Sequence, residues 1–275
     1  MCLYPITVYS KPEKIPRKVS CGKCLECVKQ RSVEWAFRIL DECSLYKDNC
    51  FITLTYNDDN LPSDRSVHVR EHQLFIKSLR KLLEPIKIRF FVSGEYGKKF
   101  GRPHYHYIIF GWKPDDLVFF KLDNKKTKLY RSRTIEKIWS KGFSSVGEVS
   151  YDTALYAAKY LQKLQFDMRK EVEVDNINGS PVLGELLPPF VRMSNRPGLG
   201  YNSVYKCDLR YDRLYRDGKS CKIPRYYLKV MERDGVDLFD FKAIRFYAGE
   251  QKAACESRDE LLLRRSRANA LIAKK

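Results

Sequence analysis

Two strand-like runs joined by a glycine-bounded turn constrain this chain more than any other feature. Residues 87–97, KIRFFVSGEYG, are β-branched and aromatic, and so are residues 104–112, HYHYIIFGW. Between them lies GKKFGRP, 97–103, a short basic turn with a glycine near each end. Runs of this kind, bounded by turn residues, predict an antiparallel hairpin. A third run, FITLTY at 51–56, is closed by NDDNLP and reads as another strand, and FSSVGEVSY at 143–151 as a fourth.

Helical periodicity fills the gaps. Val28, Trp35, Ile39 and Leu45 predict a helix from about Cys24 to Tyr46. Leu74, Phe75, Leu79 and Leu82 line one face of a helix over 70–84. The basic stretch Lys121–Arg133 leads into a short helix through Ile135, Ile138 and Trp139, and the alanine-rich TALYAAKYLQKL, 153–164, is a good helix. The segments 176–190 and 192–202 are rich in Gly and Pro and read as loops, and 255–273 as a basic terminal helix. Interleaved helices around an antiparallel hairpin predict an α+β fold, a central antiparallel sheet with helices mainly on one face. N- and C-terminal additions flank it.

Alternate residues of a strand share a face. One face then collects Thr53, Thr55, Ser93, Glu95, His104 and His106, and burying the aliphatic sides under helices leaves that polar face open. His104 and His106 sit at i and i+2, so both imidazoles can aim at one ion, with Glu95 of the neighbouring strand adding an oxygen. Two nitrogens and one oxygen suit a catalytic Mg²⁺ or Mn²⁺ with open positions for substrate. His-x-His on a strand is equally the pattern of two ordinary exposed or core histidines. On the 153–164 helix, Tyr156 and Tyr160 lie one turn apart on one face, with Lys159 and Lys163 beside them. A phenol, with pKa near ~10, becomes a nucleophile when a cation stabilises the phenolate; the same spacing also serves plain packing.

Charge narrows the partner. Lys and Arg number 52 against 34 acids, a net +18. Such a field favours polyphosphate, and the 18 tyrosines among the bases suit single strands whose bases can stack. No apolar run is long enough to span a membrane, and the N-terminus lacks the pattern of a signal peptide. Nine cysteines without an export signal argue for reduced thiols in a cytoplasm. Cys21, Cys24 and Cys27 make two overlapping C-x-x-C steps that can give three thiolates to a structural zinc, with Cys2, Cys43 or Cys50 as a fourth; they are also ordinary thiols at a helix start. His68 and His72 lack an HExxH context and read as surface residues, RPGLG as a loop, and RRSRANALIAKK as a solvated helix or an extra DNA contact.

FITLTY, GEYGKKFGRPHYHYIIFGW and YAAKYLQK, in that order, resemble the HUH superfamily of rolling-circle replication initiators. Within it the chain is most similar to the replication-associated proteins of gokushoviruses, single-stranded DNA phages of the Microviridae; CGKCLECVKQRSVEWAFR, MSNRPGLGYN and IPRYY share that likeness, which spans roughly residues 20–230. The resemblance implies that His104 and His106 bind a divalent metal, with Glu95 as third ligand. It implies that Tyr156 and Tyr160 are paired nucleophiles and Lys163 the basic residue after them. The implied activity is nicking of origin DNA through a 5′-phosphotyrosine, later reversed to rejoin the strand, with host helicase and polymerase as partners in the bacterial cytoplasm. The implied organisation is an irregular segment at 1–20, an HUH endonuclease domain at 21–170 and a basic extension at 171–275. A non-catalytic single-strand binder and a hydrolytic metal nuclease are the rival readings.

Overall fold

The computed structural model describes the backbone of residues 2–9, 16–97, 101–123, 126–166, 171–175, 181–216 and 218–273, and the side chains of these except 160–166, 171–175, 181–185, 252–253 and 273. In chain order the elements are β1 (Ile6–Tyr9), β2 (Pro16–Val19), α1 (Leu25–Cys43), β3 (Asn49–Tyr56), α2 (Val69–Leu83), β4 (Arg89–Tyr96) and β5 (Pro103–Phe110). Then follow β6 (Leu117–Leu122), β7 (Lys128–Ser132), α3 (Arg133–Ile138), β8 (Gly142–Gly147) and α4 (Tyr151–Phe166). The remainder is β9 (Glu171–Asp175), β10 (Pro181–Glu185), β11 (Phe190–Met193), β12 (Arg213–Arg216), β13 (Lys219–Lys222), α5 (Arg225–Arg233), α6 (Phe239–Ala254) and α7 (Arg258–Ala273). The chain divides into two compact units, residues 35–201 and residues 1–34 with 202–275. Among the described residues no helix is long and apolar enough to cross a membrane.

The 35–201 unit is built on a seven-stranded sheet in the order β11-β4-β5-β3-β8-β7-β6. Every pairing in it is antiparallel, so the α+β class and the central hairpin stand as the sequence predicts. The hairpin turn closes through Gly97 N–H to the Arg102 carbonyl at 2.9 Å and Gly101 N–H to the Gly97 carbonyl at 2.9 Å. Gly101 takes φ +63°, a conformation cheap only for glycine.

Helices cover both faces of the sheet. On one, Phe75, Ile76, Leu79 and Leu83 of α2, with Ile135 of α3 and the adjoining Trp139, pack on Ile52, Leu54, Phe90, Val92, Tyr105 and Tyr107. On the other, Ala36 and Ile39 of α1 and Ala154 and Ala157 of α4 pack on Phe51, Phe91, Ile108 and Phe110. The open polar face expected from the sequence is therefore covered, and Ser93, Glu95 and His106 are buried. The reason is parity: both residue sets of β3, β4 and β5 carry large apolar side chains, and each set needs a cover.

The RPGLG loop is tied down by three buried or half-buried charges. Arg38 Nε donates to the Leu199 carbonyl at 3.1 Å, Glu42 accepts from the Gly200 N–H at 2.8 Å, and Arg89 reaches the Pro197 carbonyl. Glu42 is paired with Arg89 at 3.3 Å. The loop is thus held against the sheet unit rather than free to cradle a ligand.

His72 departs from its surface assignment. It is buried on α2, edge-on to Phe90, with Nδ1 3.3 Å from the Tyr107 hydroxyl. Burial, with help from Arg192 and Arg80, pushes its imidazole down to about 4 from 6.5. Between those values the unfolded chain takes up a proton that the folded chain refuses, so stability falls as pH drops through that window. The expected loss from pH 7 to pH 4 through this residue is at most about 3 kcal/mol. Urea midpoints measured across that range check it: the acid slope flattens in His72→Gln, and an unchanged slope would refute the assignment.

Candidate active site

The polar residues gather at one end of the sheet face that α1 and α4 cover. Antiparallel register places Thr53 and Ser93 on either side of His106, and Thr55 and Glu95 on either side of His104. Phe51, Phe91, Ile108 and Phe110 occupy the same face further along. One face is thus apolar under the helices and polar at its end, a change made within two residues on each strand.

His106 is held from both sides. Its Nε2 lies 2.9 Å from Glu95 Oε1 and its Nδ1 3.0 Å from Thr53 Oγ1. The threonine hydroxyl can donate to Nδ1 while Nε2–H donates to the carboxylate, so one tautomer satisfies both contacts. Phe51 stacks on the ring at 5.8 Å between centroids and 14° between planes, which fixes its plane. The Ser93 hydroxyl, beside His106 in register, is buried and has no hydrogen-bond partner among the described residues.

His104 sits differently. Its Nδ1 lies 2.6 Å from the Arg102 carbonyl and so carries the proton there, leaving Nε2 as the acceptor nitrogen. Burial lowers its pKa below the ordinary histidine value, although the bond to Arg102 works the other way. The ring is therefore neutral at physiological pH, the form that can donate a lone pair to a metal. Its centroid is 6.2 Å from that of His106. A Cβ placed on Gly97 would meet the His104 ring at 3.0 Å, so this glycine leaves the ring its room. Among the described residues, the group of His, Cys, Asp and Glu side chains whose ligand atoms all converge within 4.8 Å is a set of cysteines, not this one. Glu95 and His106 are in contact, and His104 stands one strand position along.

Tyr156 arrives from α4. Ala154, Ala157 and Ala158 are fully buried, and their small size lets the helix approach the sheet closely. The Tyr156 ring consequently sits edge-on to His106, with centroids 5.2 Å apart and planes at 80°, and touches Phe51 at 6.4 Å. The residue remains 45% exposed, so one side of the ring is open to a ligand. Lys159, one turn on, is exposed. Tyr160 and Lys163 fall on the same helix, but their side chains lie outside the described residues. Cys21, Cys24 and Cys27 belong to the other unit, at the turn that opens α1.

Residue alternation alone places Thr53, Glu95 and His106 on one face. It does not reveal that Thr53 and Glu95 hold His106 between them, which requires the β3–β5–β4 register. Nor does it find the Arg102 carbonyl or the space at Gly97. The signal present in the sequence is the GRP turn directly before His104, which forces a carbonyl close to the first histidine.

A family model described as replication-associated protein ORF2 matches residues 49–165. That span opens with β3 and ends in α4, so it holds every residue of this site. The replication-associated protein ORF2 of Spiroplasma virus 4 is 36% identical over 234 residues, covering 80% of this chain and 70% of that protein. The replication-associated protein VP4 of Bdellovibrio phage phiMH2K is 35% identical over 168 residues, 57% of this chain and 53% of its own length. The replication-associated protein ORF4 of Chlamydia phage 1 is 33% identical over 162 residues, 56% and 40% respectively. No solved structure matches.

The close approach of α4 makes a direct prediction. Ala157→Leu inserts three carbons at a fully buried position, and overpacking of this kind costs about 1–3 kcal/mol. Denaturant unfolding is expected to show that loss, whereas Lys159→Leu, on the exposed side of the helix, leaves the midpoint within about 0.5 kcal/mol.

Proposed function

Because the chain belongs to the replication-associated proteins of gokushovirus-type phages, we propose that it starts rolling-circle replication by nicking the origin strand through a phosphotyrosine, in the manner of HUH initiators. The observation that carries this reading is the Tyr156 ring edge-on to His106, whose Nε2 in turn meets Glu95. A lone exposed tyrosine or a lone buried histidine is ordinary; a phenol brought to a His–Glu pair by a helix with an alanine face is suited to phosphoryl transfer.

The donor set fits a divalent cation. Nε2 of His106 and Oε1 of Glu95 are 2.9 Å apart, close to one edge of an octahedron with bonds of roughly 2.1 Å. The unpartnered Ser93 hydroxyl beside them is a further buried polar group on this face, among the described residues. His106, Glu95 and His104 would hold the ion, with Thr53 and the Arg102 carbonyl orienting the two rings. When bound, the ion supplies Lewis-acid polarisation of the scissile phosphate and neutralises its charge.

The chain's own groups do the remainder. The Tyr156 oxygen attacks phosphorus in line; the new P–O(Tyr) bond forms as the P–O3′ bond breaks. The phenol gives up its proton and the departing 3′-oxygen gains one, leaving a free 3′-hydroxyl and a 5′-phosphate on the tyrosine. The energy of the phosphodiester is kept, so attack by a later 3′-hydroxyl reverses the link and closes a circle. Tyr160, one turn on, is proposed as the second nucleophile, which lets a regenerated origin be cut while the first end is still held. Lys163 is proposed to neutralise phosphate beside it. Single-stranded DNA reaches the site along the basic surface that a net +18 provides, and host helicase and polymerase act on the exposed strand and its 3′-end.

Incubation with labelled origin-strand DNA and Mn²⁺, followed by a denaturing gel, tests this. A protein band carrying label is expected from wild type, reduced in Tyr156→Phe or Tyr160→Phe and absent in the double variant. His106→Ala is expected to lose nicking by about 10²-fold or more while retaining most single-strand binding. Cleavage with no labelled protein would mean a hydrolytic nuclease, and binding with no cleavage a binding module; either result overturns the proposal.

A further inference from the structure

The unit that contains both chain ends has a second cluster of donor groups, remote in sequence from the first. Cys2, Cys21, Cys24 and Cys27 bring their four sulfur atoms within 4.8 Å of one another. Cys24 and Cys27 are 3.5 Å apart, Cys2 and Cys24 3.9 Å, and Cys21 and Cys27 4.0 Å. All four are free thiols, and a disulfide would hold two sulfurs at about 2.05 Å. Four thiolates at roughly 2.3 Å from one ion lie about 3.8 Å from each other. The spacing is that of ligands sharing a centre, not of bonded pairs.

The backbone is shaped around the sulfurs. The turn Cys21-Gly22-Lys23-Cys24 wraps Cys21 Sγ, which accepts from the N–H of Lys23 at 3.4 Å and of Cys24 at 3.3 Å. Gly22 makes this possible with φ +73°, and Arg31 Nη2 fixes the turn by donating to the Gly22 carbonyl at 2.8 Å. Cys2 Sγ accepts from the Cys21 N–H at 3.3 Å and Cys24 Sγ from the Leu3 N–H at 3.4 Å. Backbone donors aimed at sulfur stabilise negative charge there and fix ligand direction, as outer-shell partners of metal ligands do. Cys24 and Cys27 also stand at the first turn of α1, where the helix end favours anions.

The intervening chain explains why a staple is needed. β1 and β2 pair as an isolated two-stranded ladder, Ile6 with Val19 through Tyr9 with Pro16, and all eight residues are exposed. Such a ladder buries nothing of its own, and two strands alone are marginal in water. At its base Leu3 is buried, yet the groups that join the two ends of the ladder are Cys2 and Cys21.

We propose that Cys2, Cys21, Cys24 and Cys27 form a closed four-thiolate zinc site that pins the N-terminal ladder to the start of α1. Four sulfurs in a tetrahedral set leave no position for substrate, so the ion is structural and separate from any chemistry at His106. Cys43 and Cys50, the other candidates for a fourth ligand, lie in the other unit and are not part of the cluster.

Elemental analysis of the full chain, purified with zinc present and dialysed against EDTA, tests the site. One zinc per chain is expected, retained in His106→Ala and Cys255→Ser and mostly lost in Cys24→Ser and Cys27→Ser. Should those serine variants fail to fold, cobalt substituted into wild type provides the second measurement. Intense thiolate-to-Co²⁺ charge transfer together with tetrahedral visible bands is expected. A zinc-free protein, iron in its place, zinc that persists when Cys24 and Cys27 are both serine, or a cobalt spectrum without thiolate bands would each overturn the assignment. None of these outcomes depends on whether the chain nicks DNA.

Discussion

The contact between α4 and the sheet is the constraint on which the rest of the site depends. Tyr156 meets His106 only because Ala154, Ala157 and Ala158 present a face without bulk to Phe51, Phe91 and Ile108. With larger side chains at those positions the helix axis would stand further from the strands, and the phenol with it. Helix propensity and site geometry therefore ask for the same residue: alanine is the best helix former and also the smallest side chain that still shields the sheet. The run TALYAAKY is legible as a helix for the first reason, while its second use needs the packed structure.

Much of the fold is legible because turn signals bracket it. FITLTY, KIRFFVSGEYG and HYHYIIFGW become β3, β4 and β5 within one or two residues, and the helices at 70–84 and 153–164 become α2 and α4. The expectation that fails is that one face of the sheet stays open. PHYHYIIF alternates two kinds of large side chain rather than apolar with polar, and a strand of that composition is covered on both sides. His72 fails for a related reason: a histidine on an amphipathic helix reads as polar, yet its ring is flat, and it packs between Phe90 and Tyr107 with one nitrogen on a hydroxyl. β11 escapes the sequence reading because FVRM is short and preceded by two prolines; only its partner β4, far back in the chain, makes it a strand.

Register rather than composition decides which side chains meet. His104 and His106 are equivalent in the sequence pattern, two residues apart on one strand. In the sheet they differ: His106 is flanked by Thr53 and Ser93 and bonded to Glu95, whereas His104 stands at the mouth of the hairpin with its proton on a turn carbonyl. The same distinction separates the cysteines. Cys43 and Cys50 sit close in sequence to the α1 cluster, but burial simply pushes both thiols up, Cys43 to about 12, as expected of sulfur used for packing. At Cys21, Cys24 and Cys27 the backbone turns its N–H groups toward the sulfurs. Cysteine spacing suggests both possibilities, and the direction of the surrounding amides separates them.

The polar end of the α4-covered face is a poor choice for stability alone. A buried carboxylate and imidazole give up hydration that their mutual contact offsets only when geometry is good, and the Ser93 hydroxyl adds a buried group without a partner among the described residues. Continuing the pattern of Phe51, Phe91 and Ile108 to the end of the sheet would remove those costs. The fold instead changes from aromatic to ionisable side chains within one pleat, on three adjacent strands at once, and turns an exposed tyrosine toward the change. A sheet face that abandons its own packing at the single place where a phenol reaches it is better explained by chemistry done there than by the needs of folding, and this asymmetry is the physical ground for placing the reaction at His106 rather than elsewhere along the same strands.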